Sequence, residues 1–173
     1  MDEEFINDFF TFDNGDVDWI RISEYRYLSE PFMETFADRL DWVRISTYQK
    51  LSEEFIKRNV NRVDWVKISI QQKLSEKFIK EFSHVVDWEK ITFNQKLSEE
   101  FIIEFAHRVD WNRLSSRQKL GEQFIIKYED RLNWDCLSQY QQLSEHIIRT
   151  YEYKVCWLFI SKNQVLYKTA KCL

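Results

Sequence analysis

Glycine and proline are almost missing from this chain, at two and one among 173 residues. That scarcity excludes a collagen-like or disordered chain and argues against a sandwich of many short strands, which needs frequent turn residues. Cysteine is nearly as rare. Cys136, Cys156 and Cys172 are odd in number and show no metal-binding or redox spacing, so a reducing, intracellular setting with free thiols is expected. Long apolar runs are missing too: the longest, Val155 to Ile160, is far below the roughly 20 residues of a membrane span. The opening Met-Asp-Glu-Glu lacks the basic start and apolar run of a secretory signal, so no membrane and no secretion are expected. Neither sign of charge dominates. Twenty-five basic and 29 acidic residues leave a net charge of −4, which predicts no general attraction to nucleic acid.

What the chain does have is aromatic and periodic. Its seven tryptophans are Trp19, Trp42, Trp65, Trp88, Trp111, Trp134 and Trp157, each 23 residues after the last. A fixed period of that length is the signature of a solenoid. Counting each Trp as position 1, the repeat reads Trp-x-basic-Ile-Ser-x-x-Gln-Lys-Leu-Ser-Glu-x-Phe-Ile-x-x-Phe-x-x-Arg-Val-Asp. Apolar residues at positions 1, 4, 14, 15, 18 and 22 have helical spacing and no strand-like alternation. Two short helices are predicted per repeat, over positions 1–8 and 12–21.

Each helix start carries its own signal. Position 23 is Asp in Asp18, Asp41, Asp64, Asp87 and Asp110, and position 11 is usually Ser; both suit an N-cap. Apolar residues just before each cap and at the fourth helical residue spell a hydrophobic staple. Pro31 falls in a first turn, where its missing N–H costs little. The expectation is therefore an all-α protein: an α-solenoid of 23-residue two-helix repeats, six full repeats over residues 19–156, within a single domain over 1–173. Residues 1–18 are expected to cap the entry with a helix over about 3–13, ended at Asn14-Gly15. Residues 157–173 form a C-terminal half repeat.

Residues at one repeat position stack into columns, and the uniform columns read as scaffold. Trp lies three residues before an aliphatic and is expected to face the core. Ser or Thr at position 5 is expected to bond back to the preceding turn; seven equivalent hydroxyls without a base beside one of them are no catalytic serine. Gln at position 8 should bond free backbone groups at helix ends. Glu at position 12 suits the helix dipole. No catalytic residue, cofactor site or metal site is expected, His84 and His107 at position 20 lacking a third ligand.

Function is expected on the outward positions. Ile20, Val43 and Val66 give position 2 an apolar stripe, Arg21, Arg44, Lys67, Lys90 and Arg113 make position 3 basic, and Tyr25, Tyr48 and Tyr140 mark position 7, with Ile70 and Phe93 at position 6. Exposed apolar and aromatic groups of this kind mark protein contact sites. The favoured reading is a non-catalytic interaction scaffold with a protein partner. The alternative is nucleic-acid binding along the basic columns at positions 3, 9 and 21. Leu158 and Phe159, where polar and basic residues usually stand, are candidates for self-association, for example as a homo-dimer through the C-terminal end.

Lys96-Leu-Ser-Glu-Glu-Phe-Ile102 followed by Val109-Asp-Trp-Asn-Arg-Leu-Ser115 resembles tandem repeats encoded by giant amoeba-infecting DNA viruses and some phages. The likeness covers nearly the whole chain. It implies a viral protein acting in the host cytoplasm or nucleus, or packaged in a virion. It implies no particular activity.

Overall fold

The structure, a computed structural model, describes residues 10–11, 14–25 and 27–163. Among these there are thirteen helices and no strand, Thr11 and Val17 making an isolated antiparallel bridge. The helices are α1 (Trp19–Glu24), α2 (Glu30–Thr35), α3 (Trp42–Tyr48), α4 (Glu53–Arg58), α5 (Trp65–Gln71), α6 (Glu76–Glu81), α7 (Trp88–Asn94), α8 (Glu99–Glu104), α9 (Trp111–Arg117), α10 (Glu122–Lys127), α11 (Trp134–Tyr140), α12 (Glu145–Thr150) and α13 (Trp157–Asn163). The chain is an α-solenoid of 23-residue two-helix repeats. It divides into two compact units, Met1–Asp87 and Trp88–Leu173. In the first, α1 packs on α3 and α3 on α5; in the second, α7 packs on α9, α9 on α11 and α11 on α13.

The predicted caps form. Asp18, Asp41 and Asp64 each accept a hydrogen bond from the backbone N of position 3, and Asn133 does the same from Cys136 N. Ser29, Ser52, Ser75, Ser98 and Ser144 cap the second helices in the same way. Gly121 stands in the Ser column and makes no side-chain cap bond. Helices of six or seven residues are marginal alone, so burial must hold them. Positions 4 and 15 supply it: Ile22, Ile45, Ile68, Ile91, Leu114 and Leu137, with Met33, Ile56 and Ile79, are fully buried.

Two expectations need correction. The second helix covers positions 12–17, not 12–21. At position 18 the backbone leaves helical geometry (Phe36 φ −107°, ψ 22°) and starts a separate turn, with Arg39 N and Leu40 N both donating to Phe36 O. The position-18 ring there lies against the Trp of its own repeat, as in Trp65–Phe82 at 5.1 Å and Trp88–Phe105 at 4.9 Å. The tryptophans are also shallower than expected. Trp19, Trp42, Trp65, Trp88 and Trp111 are half-buried, Trp134 is buried and Trp157 is exposed. An indole N–H needs an acceptor, and it finds one at the rim: Trp42 Nε1 donates to Ala37 O, Trp65 Nε1 to Val60 O and Trp111 Nε1 to Ala106 O.

Three polar columns tie each repeat to the next within a unit. Ser46 Oγ donates to Trp42 O at 2.7 Å, as expected, and also accepts from Asp64 N of the following cap at 3.0 Å. Gln72, at position 8, accepts from Leu51 N and donates to Ser46 O and Gln49 O, and Gln118 repeats this with Leu97 N, Thr92 O and Gln95 O. Glu at position 12 does more than answer a dipole. Glu30 accepts from Ser52 N, and Glu53 from both N and Oγ of Ser75, one repeat further on. No buried side-chain nitrogen or oxygen among the described residues lacks a hydrogen-bond partner, as a stable interior requires.

The cap helix predicted over residues 3–13 lies outside the described residues apart from Phe10 and Thr11. Phe10 is buried, its ring edge-on to Tyr25 at 5.3 Å, and Gly15 takes a positive φ of 87° in the turn closed by the Thr11–Val17 bridge. The part of the C-terminal half repeat beyond 163 also lies outside them.

Candidate interaction surface

Because positions 4 and 5 of each Trp helix point inward, positions 2, 3, 6 and 7 are left on the opposite side of the helix. In the first unit this side carries the apolar stripe the repeat pattern predicts. Ile20, Val43 and Val66 are 55%, 48% and 45% exposed, and Tyr48 stands exposed on α3. Tyr25 is exposed too, with one side of its ring against Phe10, and its carbonyl accepts from Gln49 Nε2. Beside Tyr48 a groove of about 340 Å³ opens between Lys50 and Lys73, floored by Gln49 and Gln72.

The basic columns are mostly committed. Arg44 bonds Glu24 at 2.6 Å and Asp41 at 2.9 Å; the Glu24 hydrogen bond, ahead of Asp41, holds its guanidinium above its ordinary range. Arg21 lies over the Phe10 ring at 5.6 Å. Lys90 and Arg113 both reach Glu89, at 3.1 and 3.3 Å, and the Lys90 bond chiefly depresses that carboxyl. Position 21 is occupied with tryptophan: Arg39 lies over Trp19, Arg62 over Trp42, Arg108 over Trp88 and Arg131 over Trp111, at 4.2 to 5.9 Å. Arg62 and Arg131 also donate to the carbonyls of Ala37 and Ala106, which the Trp indoles share. The position-9 lysines, Lys50, Lys73, Lys96 and Lys119, are exposed.

The side formed by the second helices is a lattice of paired charge. Arg58 meets Glu34 at 2.8 Å, Lys57 meets Glu81 at 2.7 Å and Arg62 meets Asp38 at 2.7 Å, all between neighbouring repeats. In the second unit Lys154 is bonded by Glu129 and Asp130, and His146 by Glu122. Exposed pairs of this kind add little stability each. They do leave few unanswered charges for a partner.

In the second unit the outward side of the Trp helices departs from the repeat. A groove of about 520 Å³ is lined by Phe93 of α7, by Asp110, Asn112, Arg113, Ser116 and Arg117 at and along α9, and by Cys136 and Tyr140 of α11. Phe93 and Tyr140 were legible as outward aromatics. Arg117 and Cys136 were not singled out, although each breaks its column: Arg117 is the one base at position 7, and Cys136 replaces a base at position 3. Burial, then Asp135, pushes the Cys136 thiol up. Leu158 is 59% exposed on α13 beside an exposed Trp157, whereas Phe159 is half-buried.

No family model, curated protein or solved structure matches this chain. No group of three His, Cys, Asp or Glu side chains placed to hold a metal occurs among the described residues, His84 and His107 included, and no described helix is long and apolar enough to cross a membrane.

Proposed function

We propose that the chain is a non-catalytic repeat scaffold that binds a partner protein through the outward side of its Trp helices. The observation that carries this reading is the exposed column Ile20, Val43 and Val66, with Tyr48 beside it. Such a column has no task inside the fold: the uniform polar positions already satisfy the backbone between repeats, and the core closes without it. Apolar groups lined up at repeat spacing, with Lys67 alongside, suit a partner that buries apolar side chains and brings an acidic one. By resemblance of its repeat, the setting proposed is that of a viral protein inside a host cell or virion.

Replacing Val43, Val66 and Tyr48 together by Ser tests the reading. Affinity capture from the native cell followed by mass spectrometry is expected to lose its specific partner, while far-ultraviolet circular dichroism stays unchanged. Retention of the same partner by the triple variant would sink the proposal.

Two further readings have narrower support. Binding of nucleic acid would have to rest on Lys50, Lys73, Lys96 and Lys119 with Lys67, because the other bases of position 3 and the arginines of position 21 are spent on carboxylates and rings. Self-association through the last helix rests on exposed Trp157 and Leu158.

A further inference from the structure

We propose that the groove between α7, α9 and α11 is a docking pocket for an oxyanion-bearing side chain of a bound polypeptide, a carboxylate or a phosphate monoester attached to an apolar stem. Three observations carry it. The first is where the repeat is broken. Position 3 is basic in the five preceding repeats and becomes Cys136, while the variable positions 6 and 7 supply Phe93 and Arg117, the one base at position 7, and the three meet around one cavity. The cavity, about 520 Å³, falls within the roughly 300–1,000 Å³ range of ligand pockets.

The second is the state of Arg117. Its guanidinium is exposed and lies 4.1 Å from the Phe93 ring centroid, with no carboxylate of the described residues within ion-pair distance. A guanidinium resting over a ring spends no N–H on a carboxylate, and its fork matches the two oxygens of a carboxylate or phosphate. Arg113, one turn earlier, lies 5.1 Å from the same ring and is held by Glu89 only at 3.3 Å, a bond an incoming oxyanion can replace. The third is the opposite wall. Tyr140 is 60% exposed and presents a ring for an apolar stem and a phenol for a further hydrogen bond.

The charge around the cavity favours a single oxyanion over a polyanion. Asp110 and Glu89 sit at its edge, and Arg108 and Arg131 are stacked on tryptophans. A phosphate backbone would therefore meet carboxylates within a step of the two arginines. Only the source of the ligand, a polypeptide, rests on the function proposed above. The pocket is tested with small probes, so it can fail while capture through Val43 and Val66 persists, or hold while that capture fails.

Cys136 supplies the readout, since it lines the pocket and Cys156 does not. Alkylation of the full chain by iodoacetamide is followed at Cys136 and Cys156 by mass spectrometry. The probes are phenylacetate, phenyl phosphate, benzyl alcohol, and capped Gly-Phe-Glu-Gly and Gly-Phe-Gln-Gly peptides. Phenylacetate, phenyl phosphate and the Glu peptide should slow Cys136 at least threefold, saturably, and leave Cys156 unchanged. Benzyl alcohol and the Gln peptide should not. Arg117→Gln should abolish the protection, and Arg58→Gln, which breaks an ion pair on the other side of the repeat, should keep it. The proposal is overturned by no protection in the wild-type chain, by protection that survives in Arg117→Gln, or by equal protection from the neutral probes. Stronger protection by an oligothymidylate than by phenyl phosphate would assign the groove to nucleic acid and overturn it as well.

Discussion

Ser46 Oγ stands between two backbone groups, donating to Trp42 O at 2.7 Å and accepting from Asp64 N at 3.0 Å. The same pair of bonds recurs at Ser23, Thr92, Ser115 and Ser138. One fully buried hydroxyl thus closes a helical turn and fixes the cap of the next repeat. Alanine at 46 would leave the Asp64 N–H without its acceptor, at a cost of about 1–3 kcal/mol. Threonine keeps the hydroxyl, and Thr92 shows that the column admits the extra methyl. Chemical denaturation should place Ser46→Ala well below the wild type and Ser46→Thr close to it; equal loss in both would point to packing rather than the hydroxyl. The local half of this arrangement was legible from the sequence, because a hydroxyl four residues after a helical carbonyl can reach it. The other half joins residues 18 apart, and only the stacking register reveals it.

At the scale of the helix, the starts and the end of the first helix agree with the sequence signals, and the end of the second helix does not. Asp and Ser caps announce a beginning in one residue, whereas these second helices have no glycine at their ends. They stop where the backbone at position 18 leaves helical geometry and opens a separate turn, at Asn59 as at the rings of Phe36 and Phe82, and that turn has no local signature. The depth of tryptophan was misjudged for a related reason. Spacing at i, i+3 with an aliphatic fixes the side of the helix but not how far a large ring with an N–H can sink. At the outward side, the apolar stripe and the aromatics were visible as departures from repeat identity. Arg117, a unique base among uncharged column-mates, is the sequence trace of the groove. Gly121 offers a test on the cap itself. Its backbone is unstrained (φ −77°), and a Cβ there would meet Glu99 Oε1, the far end of a flexible side chain, at 3.0 Å. At the equivalent Ser75, Glu53 accommodates both the N–H and the hydroxyl. Gly121→Ser should restore the missing cap and restrict the unfolded chain, raising stability by about 0.5–1 kcal/mol. A melting temperature a few degrees higher is expected, and a fall would mean that Glu99 cannot give way.

For the whole molecule, the repeat bonds make each 23-residue module interchangeable with its neighbour, and that can be put to a direct test inside the first unit. Removing residues 42–64 joins Asp41 to Trp65, so every repeat position keeps its number. Gln72 then meets Leu28 N, Ser23 O and Tyr25 O, the groups that Gln49 binds now. Glu30 would receive Ser75 N in place of Ser52 N. Asp41 N keeps its bond to Ser23 Oγ, which never left. Stability in such arrays is close to a sum of repeat terms and nearest-neighbour terms, so the shortened chain loses one of each and keeps its fold. Removing residues 42–52 takes less of the core, Ile45 and Leu51 but not Phe55, Ile56 and Val63, yet it sets position 12 where position 1 stood and leaves the Ser, Gln and Glu columns at that junction without partners. Circular dichroism with thermal melts should show unchanged helicity per residue and a modestly lower midpoint for the first deletion. The second should show collapse of helicity. If both lose their helices alike, stacking in this chain depends on the particular residues of one repeat rather than on the shared columns.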